Sequence, residues 1–340
     1  MKKMLLALVL IVCMAAPAWA REEINFQSFW NPPHQLNRTI LEPWCAGMAK
    51  ATGGKVVIHY NPQDALVKAD AVPGALRRGA LDAGGIQLST AMSSMPLSNL
   101  MALPFLVQDA AEGAILAEKL QETFPEIRAE ITNNNYHLLA TITTDRFALA
   151  STKAPIRTPA DLAGRRVLVW APYQIEEVRA WGGMPVQIPP MESYMALQRG
   201  LGEVVYCPFP AVAQMKLDEV ARYVTPIPAR VLPMMLVMNK NLYDKLPAEA
   251  KKYLDETTGS VMNRQIGEAL VALSAEDVTR LEAAGVTIHN LSLEEQGVFK
   301  NAAAAANRAY WVDIMRRNKV ADPEAWITKV EKLAAETFNR

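Results

Sequence analysis

Cysteine and histidine are scarce in this chain of 340 residues, and the scarcity excludes several chemistries. The cysteines are Cys13, Cys45 and Cys207, and no Cys-x-x-Cys pair occurs. His34, His59, His137 and His289 lie far apart in sequence, so no metal site and no cofactor are expected. Neither sign of charge is in excess, with 35 basic and 35 acidic residues, which removes the basic footprint of a nucleic-acid binder. There is no Gly-x-Ser-x-Gly nucleophile elbow and no His-Glu-x-x-His. No histidine stands near Cys207 in sequence to serve it as a base. An exported hydrolase is therefore an alternative without a motif. Beyond the N-terminus there is no run of about 18 or more apolar residues that would span a bilayer.

What is present is a globular composition. Hydrophobic residues make up 51% and charged residues 21%, enough to bury a sizeable core and too apolar for disorder. The length exceeds one ordinary domain and predicts two lobes. Lys2 and Lys3, the apolar stretch from Leu5 to Met14 and the Ala18-Trp19-Ala20 triplet read as a signal peptide cleaved after Ala20, so the mature chain is expected in the periplasm. An N-terminal anchor helix is the alternative. Cys13 follows Val12 rather than a small residue, which argues against a lipid anchor. Cleavage removes two lysines and no acid, leaving a near-neutral surface that gives no electrostatic hint of a partner. Cys45 and Cys207 remain; an oxidising compartment permits a disulfide, and two separate buried thiols are the other reading.

The first part of the chain alternates strands and helices. Ile24 to Phe29 alternates apolar and polar residues as a strand does, and Trp30-Asn31-Pro32-Pro33-His34 breaks it. Leu36, Ile40, Trp44 and Met48 share one helix face, closed by Thr52-Gly53-Gly54. A strand over 55–60, a helix over 71–78 and a strand over 83–88 follow. This order predicts an open α/β sheet, whose ligands bind beyond the carboxyl ends of its strands. Phe29-Trp30, Gln87-Leu88-Ser89 and Leu103-Pro104-Phe105 lie at such ends. An amphipathic helix over 110–124 and a strand over 136–143 lead to Asp145-Arg146, where an arginine suits an anion.

The stretch from Pro155 to Pro208 repeats the pattern. A short turn over 158–164 precedes strands over 165–170, 185–188 and 204–206, with helices over 175–181 and 194–198 between them. Val231 to Asn239 is a long apolar strand placed to cross between lobes. A helix predicted from Ala248 to about Glu268 resumes to Ala284, and a short strand over 286–289 follows. Two more helices are expected over 294–317 and from Asp322-Pro323 onward.

In order, Asn31 to His34, Thr52-Gly53-Gly54-Lys55-Val56, Gly79-Ala80-Leu81-Asp82, Leu103-Pro104-Phe105 and Pro155-Ile156 form one pattern. It continues with Thr158 to Gly164, Tyr194 with Ala196-Leu197-Gln198, Asn239, and Leu246-Pro247-Ala248-Glu249. The pattern resembles the solute-binding proteins of tripartite ATP-independent periplasmic (TRAP) transporters and covers essentially the whole mature chain. The resemblance implies a two-lobe α/β periplasmic-binding-protein fold with a central cleft, crossing hinge strands and a long bracing helix. It also implies closure on one small organic solute, usually an acid, delivery to TRAP-type permease subunits, and a monomer or homodimer. The lobes it suggests are 21–145 with about 233–270, and 146–232 with about 271–320, followed by a C-terminal helix at 321–340.

The family pairs a carboxylate with an arginine four residues after the glycine of the Asp-Leu-x-Gly turn, a fork that donates two parallel hydrogen bonds. This chain has Leu168 there. The position of a second family arginine falls on Ala148, and that of a frequent asparagine falls on Cys207. Arg166 shares a strand face with Leu168 but is set back by roughly 7 Å. The candidate site is consequently aromatic: Phe29, Trp30, Trp170, Tyr173, Tyr206 and Phe209, with Leu168 and Cys207 at the lost anchors. Gln87 and Ser89 are placed to orient polar groups, and Arg146 to supply a displaced anion contact. Asp145 would meet an amine if its side chain turned inward, though strand alternation argues against both it and Arg146 doing so. Ordinary packing between lobes is the alternative for the aromatic set.

The expectation is a non-enzymatic receptor for an aromatic or otherwise apolar organic acid or amino acid. An aliphatic carboxylate or an amine is the alternative solute. A degenerate receptor that recognises a partner protein is a further one.

Overall fold

A computed structural model describes residues 21–339. In chain order the strands are β1 (Glu22–Gln27), β2 (Val56–Asn61), β3 (Ala83–Gln87), β4 (Tyr136–Thr143), β5 (Phe147–Ser151), β6 (Arg166–Val169), β7 (Met184–Gln187), β8 (Val204–Pro208), β9 (Tyr223–Ile227), β10 (Pro233–Asn239) and β11 (Thr287–Ile288). The helices are α1 (Glu42–Ala51), α2 (Val72–Arg78), α3 (Ala110–Thr123), α4 (Pro125–Asn133), α5 (Pro172–Ala180), α6 (Ser193–Gln198), α7 (Phe209–Gln214), α8 (Lys240–Lys245), α9 (Ala248–Thr257), α10 (Ser260–Ala283), α11 (Leu293–Arg317) and α12 (Pro323–Phe338).

Two sheets form two lobes. The first has the order β2-β1-β3-β10-β4, and the second β11-β9-β5-β8-β6-β7. β1 runs parallel to β2 and β3, while β10 enters antiparallel between β3 and β4. In the second sheet β6 runs parallel to β7 and β8, and β5 is antiparallel to β8 and β9. Two short segments carry the backbone directly from strand to strand between sheets, 144–146 and 228–232 on the way back, and a third crossing from β10 to β11 runs through α8, α9 and α10. The two short segments are laced together, since Thr144 N donates to Leu232 O at 3.0 Å and Leu232 N to Thr144 Oγ1 at 2.9 Å.

Helices complete the connection. α10 packs on α3 and β4 of the first lobe and on α7 and β11 of the second. α11 lies on α5, and α12 returns to the first lobe against α3 and the 3-10 turn Ser98–Ala102. The helix expected to run with little interruption from Ala248 to about Glu268 is cut in two at Thr258-Gly259. Thr258 turns its hydroxyl back to Leu254 O at 2.7 Å, and Gly259 adopts φ 60° and donates to Leu139 O. That backbone conformation is open to glycine and ends the helical ladder.

Both faces of the second sheet are covered, and the period of two divides its side chains between them. Ala148, Ala150, Leu168, Val205, Cys207 and Val224 belong to a core with α6, α7 and the end of α10. Phe147, Leu149, Val167, Val169, Val204 and Tyr206 belong to another with α5 and α11. On this second face a polar knot is embedded. Glu177 and Arg230, 0% and 2% exposed, are joined by Arg230 Nε donating to Glu177 Oε2 at 3.3 Å. Tyr206 Oη donates to the same oxygen at 3.0 Å, and Asn307 Nδ2 donates to Oε1 at 3.1 Å. Burial without these partners would cost each group several kcal/mol, roughly. The knot ties α5, the 228–232 crossing and α11 together.

Candidate functional site

Residues at or just past the carboxyl ends of β1, β3 and β8 line hollows where the lobes meet, the place open α/β sheets use for ligands. Two hollows open there with no lining residue in common. The first, about 260 Å³, is lined by Phe29, Trp30, Asn31, His34, Gln63, Thr144, Asp145, Pro208, Pro210, Ala211, Gln214, Met234 and Leu270. It continues into a recess of about 350 Å³ that shares His34, Asp145, Pro210, Gln214 and Leu270 and adds Ser274, Glu276, Asp277 and Arg280 of α10. The second, about 290 Å³, is lined by Gln87, Ser89, Tyr173, Arg230, Pro233, Tyr310 and Trp311 among others.

The wall of the first hollow is fixed by the turn after β1. Pro32 and Pro33 prevent the strand from continuing. Ser28 Oγ donates to Asn37 Oδ1 and accepts from Trp30 N, and Asn37 Nδ2 donates to Asn31 O. This brace holds Phe29 and Trp30 edge to face, with ring centroids 4.5 Å apart. His34 stacks on Trp30 at 4.8 Å and 10°. Burial lowers the His34 pKa to about 4, so the ring is neutral near pH 7. Leu36 N donates to His34 Nδ1, which leaves the proton of the neutral ring on Nε2.

The same hollow is lined by Asp145, 3% exposed, in the crossing between β4 and β5. Its Oδ2 has no hydrogen-bond partner. Burial raises its pKa, opposed by Ser274 and by the neighbouring Arg146.

The expected site residues therefore separate. Phe29 and Trp30 line the first hollow. Gln87, Ser89 and Tyr173 line the second, where the Arg230 guanidinium sits 4.4 Å from the centre of the Tyr173 ring. Trp170 lines neither; its Nε1 donates to Ser193 Oγ at 2.9 Å. Arg146 is half-buried, lines neither hollow, and has an unpartnered Nε. Leu168, Tyr206, Cys207 and Phe209, expected at the cleft, are 0% exposed and pack in the two cores of the second lobe. Both faces of that sheet carry helices, so alternation turns Leu168, Tyr206 and Cys207 each into a core, and Phe209 opens α7, which covers one of those faces. Cys45 and Cys207 are free buried thiols in separate cores, and burial pushes the Cys207 thiol far above its ordinary range.

Sequence reasoning missed His34, Gln63 and Gln214 and turned Asp145 away. His34 carried a signal, since it stands four residues after Trp30 in a proline-broken loop. Glu177, Arg230 and Asn307 carried none, because their meeting depends on the packing of α11.

A family model for bacterial extracellular solute-binding protein, family 7, matches residues 26–313. The chain belongs to that family. Among curated relatives, the 2,3-diketo-L-gulonate-binding periplasmic protein of Escherichia coli is 24% identical over 220 residues, 64% of this chain and 66% of that protein. A solute-binding protein of Albidiferax ferrireducens is 24% identical over 82% of both chains. Among solved structures, a TRAP periplasmic solute-binding protein of Desulfovibrio salexigens superposes with a TM-score of 0.80 at 20% identity, covering 93% of this chain and 97% of that one. A marine metagenome TRAP protein in complex with 3-hydroxybenzoate gives 0.77 at 20% identity, covering 93% and 99%. The two-lobe fold and the TRAP resemblance of the sequence thus hold, and the family 7 chain is a solute receptor. Among the described residues no helix is long and apolar enough to cross a membrane.

Proposed function

We propose that this family 7 receptor closes on a small aromatic or otherwise apolar organic acid or amino acid in the hollow at Phe29, Trp30 and His34, and hands it to a TRAP-type permease from the periplasm. The observation that carries the reading is the braced aromatic wall facing a space of about 260 Å³. Phe29, Trp30, Met234 and Leu270 supply apolar surface and Asn31, Gln63, Asp145 and Gln214 supply polar contacts, a combination that suits a flat solute carrying polar groups. The family arginine position supports it by contrast, because Leu168 lies in a core with Ala148 and Cys207. Two structural relatives were solved with aromatic acids, benzoate in that of Rhodoferax ferrireducens and mandelate in that of Bordetella bronchiseptica.

The hydrolase alternative has little to stand on, since the Cys207 thiol is enclosed and strongly disfavours ionisation. The test is a thermal-shift and calorimetric panel on the mature chain: benzoate, 3-hydroxybenzoate and phenylalanine against succinate and malate. Aromatic members are expected to stabilise the fold by about 2.7 kcal/mol at a hundredfold excess over Kd. Trp30→Ala should weaken them at least tenfold, while Tyr173→Ala in the second hollow leaves them unchanged. Shifts with the dicarboxylates alone overturn the reading, and loss on Tyr173→Ala moves the site to the second hollow.

A further inference from the structure

The charge pattern around the first hollow points to one part of the solute. Asp145 is 97% removed from solvent relative to full exposure, lines both the hollow and its continuing recess, and has an Oδ2 without a partner. Buried polar atoms nearly always find a partner, and a bare carboxylate oxygen is among the costlier exceptions. Among the described residues no cationic side chain hydrogen-bonds Asp145 Oδ2. Arg146, its neighbour, offers Asp145 its backbone N–H and a nearby charge, yet Asp145 Oδ2 stays without a partner and Arg146 keeps an unpartnered Nε of its own. Arg280 in the recess is held by Asp277 at 2.7 Å. The recess adds Glu276, so acids outnumber bases along the lining, and neutral His34 does not redress the balance.

Such a lining repels a bare carboxylate and attracts a cation. Phe29, Trp30 and His34 belong to the same lining, and aromatic rings also favour a nearby positive nitrogen. We propose that the solute of this hollow is an amine-bearing aromatic or apolar molecule whose protonated nitrogen pairs with Asp145. The inference rests on the hollow being the solute site and selects the amine-bearing members of that class. Asp145 then takes the place of the family's arginine with the opposite sign of charge. A carboxylate elsewhere on the solute is compatible and not required.

The experiment compares three probes that share a phenyl ring: phenethylamine, phenylalanine and 3-phenylpropanoate. Each is titrated calorimetrically into the mature chain after unfolding and refolding to remove any retained ligand. The wild type is expected to bind an amine-bearing probe at least tenfold more tightly than 3-phenylpropanoate. Asp145→Asn should cost the amines at least tenfold and leave 3-phenylpropanoate equal or tighter. The wild-type ranking needs no variant, so a misfolded Asp145→Asn protein does not remove the test. A wild type that prefers 3-phenylpropanoate, or binds none of the three, overturns the proposal. So does an Asp145→Asn protein whose amine affinities stay within twofold. If those failures occur while Trp30→Ala still abolishes binding of an aromatic solute, the hollow stands and only the amine assignment falls. If Trp30→Ala changes no affinity, the hollow itself is wrong and the amine assignment goes with it.

Discussion

Arg230 Nε donates to Glu177 Oε2 at 3.3 Å inside the second lobe, with both side chains almost wholly removed from water. Arg230 also reaches Asn307 Oδ1 at 3.2 Å on α11 and Ala102 O at 3.4 Å in the first lobe. The pair therefore joins the crossing segment to both lobes. Removing one partner strands the other charge, so Glu177→Leu and Arg230→Met are each expected to cost about 3–5 kcal/mol in urea unfolding. The double variant should cost clearly less than the two losses added, because no lone charge remains. Additive losses would show that the two groups do not act as a pair.

Gly85 of β3 sets the position of the aromatic wall. A Cβ built there would stand 2.1 Å from Phe29 Cδ1, inside the ring's own space. Gly85→Ala must push Phe29 against Trp30, and the expected loss is about 1–3 kcal/mol from overpacking. Solute affinity should fall with it. Adding Phe29→Leu to Gly85→Ala should recover part of the stability without recovering affinity. Chemical denaturation and calorimetry of the single and double variants give both readouts.

The same neighbourhood shows what was legible in the sequence. The four-residue spacing before Thr52 gave α1, because that helix has one apolar face and one wetter face, while β4 was legible as an apolar run that the fold buries along nearly its whole length. β9 escaped notice: it is short and contains Pro226, which usually demotes a strand. It is nevertheless paired to β5 along its length and to β11 over two residues. The site was harder. Leu168, Tyr206 and Cys207 lie toward the ends of β6 and β8 and Phe209 opens α7, but a sheet covered on both faces has no wet side for alternation to point the strand residues to. Asp145 was turned away by strand alternation, yet it lies between β4 and β5, where no strand geometry governs its direction.

His34 and His137 both titrate near 4 in the fold, lowered by burial from an ordinary 6.5. The unfolded chain therefore binds protons at a higher pH than the folded one, and stability falls as pH drops from about 6.5 toward 4. Both rings keep some solvent contact, so about 1–2 kcal/mol each is the expected loss rather than the full shift. Asp145 acts in the opposite direction. Its raised pKa means the fold is relieved of an ionised buried carboxyl as pH falls through that value, which offsets part of the loss. Urea midpoints measured at pH 7.5, 5.5 and 4.5 should decline, and replacing both histidines with glutamine should flatten the decline.

Leu168 allows a direct trial of whether the family's recognition rule can be restored. Its side chain is 0% exposed among Ala148, Val205 and Cys207, and a Cβ on Gly202 would stand 2.4 Å from its Cγ. The position has neither room nor a counter-charge for a guanidinium. Leu168→Arg is expected to destabilise the fold by about 3–5 kcal/mol, the range for an uncompensated buried charge. It should bring no gain in affinity for benzoate or succinate, because the new group would have to leave the core before reaching either hollow. A variant that keeps its unfolding midpoint and acquires tight acid binding would show that the lobes can open a pocket at Leu168. The solute site would then lie there and not against Trp30 and His34.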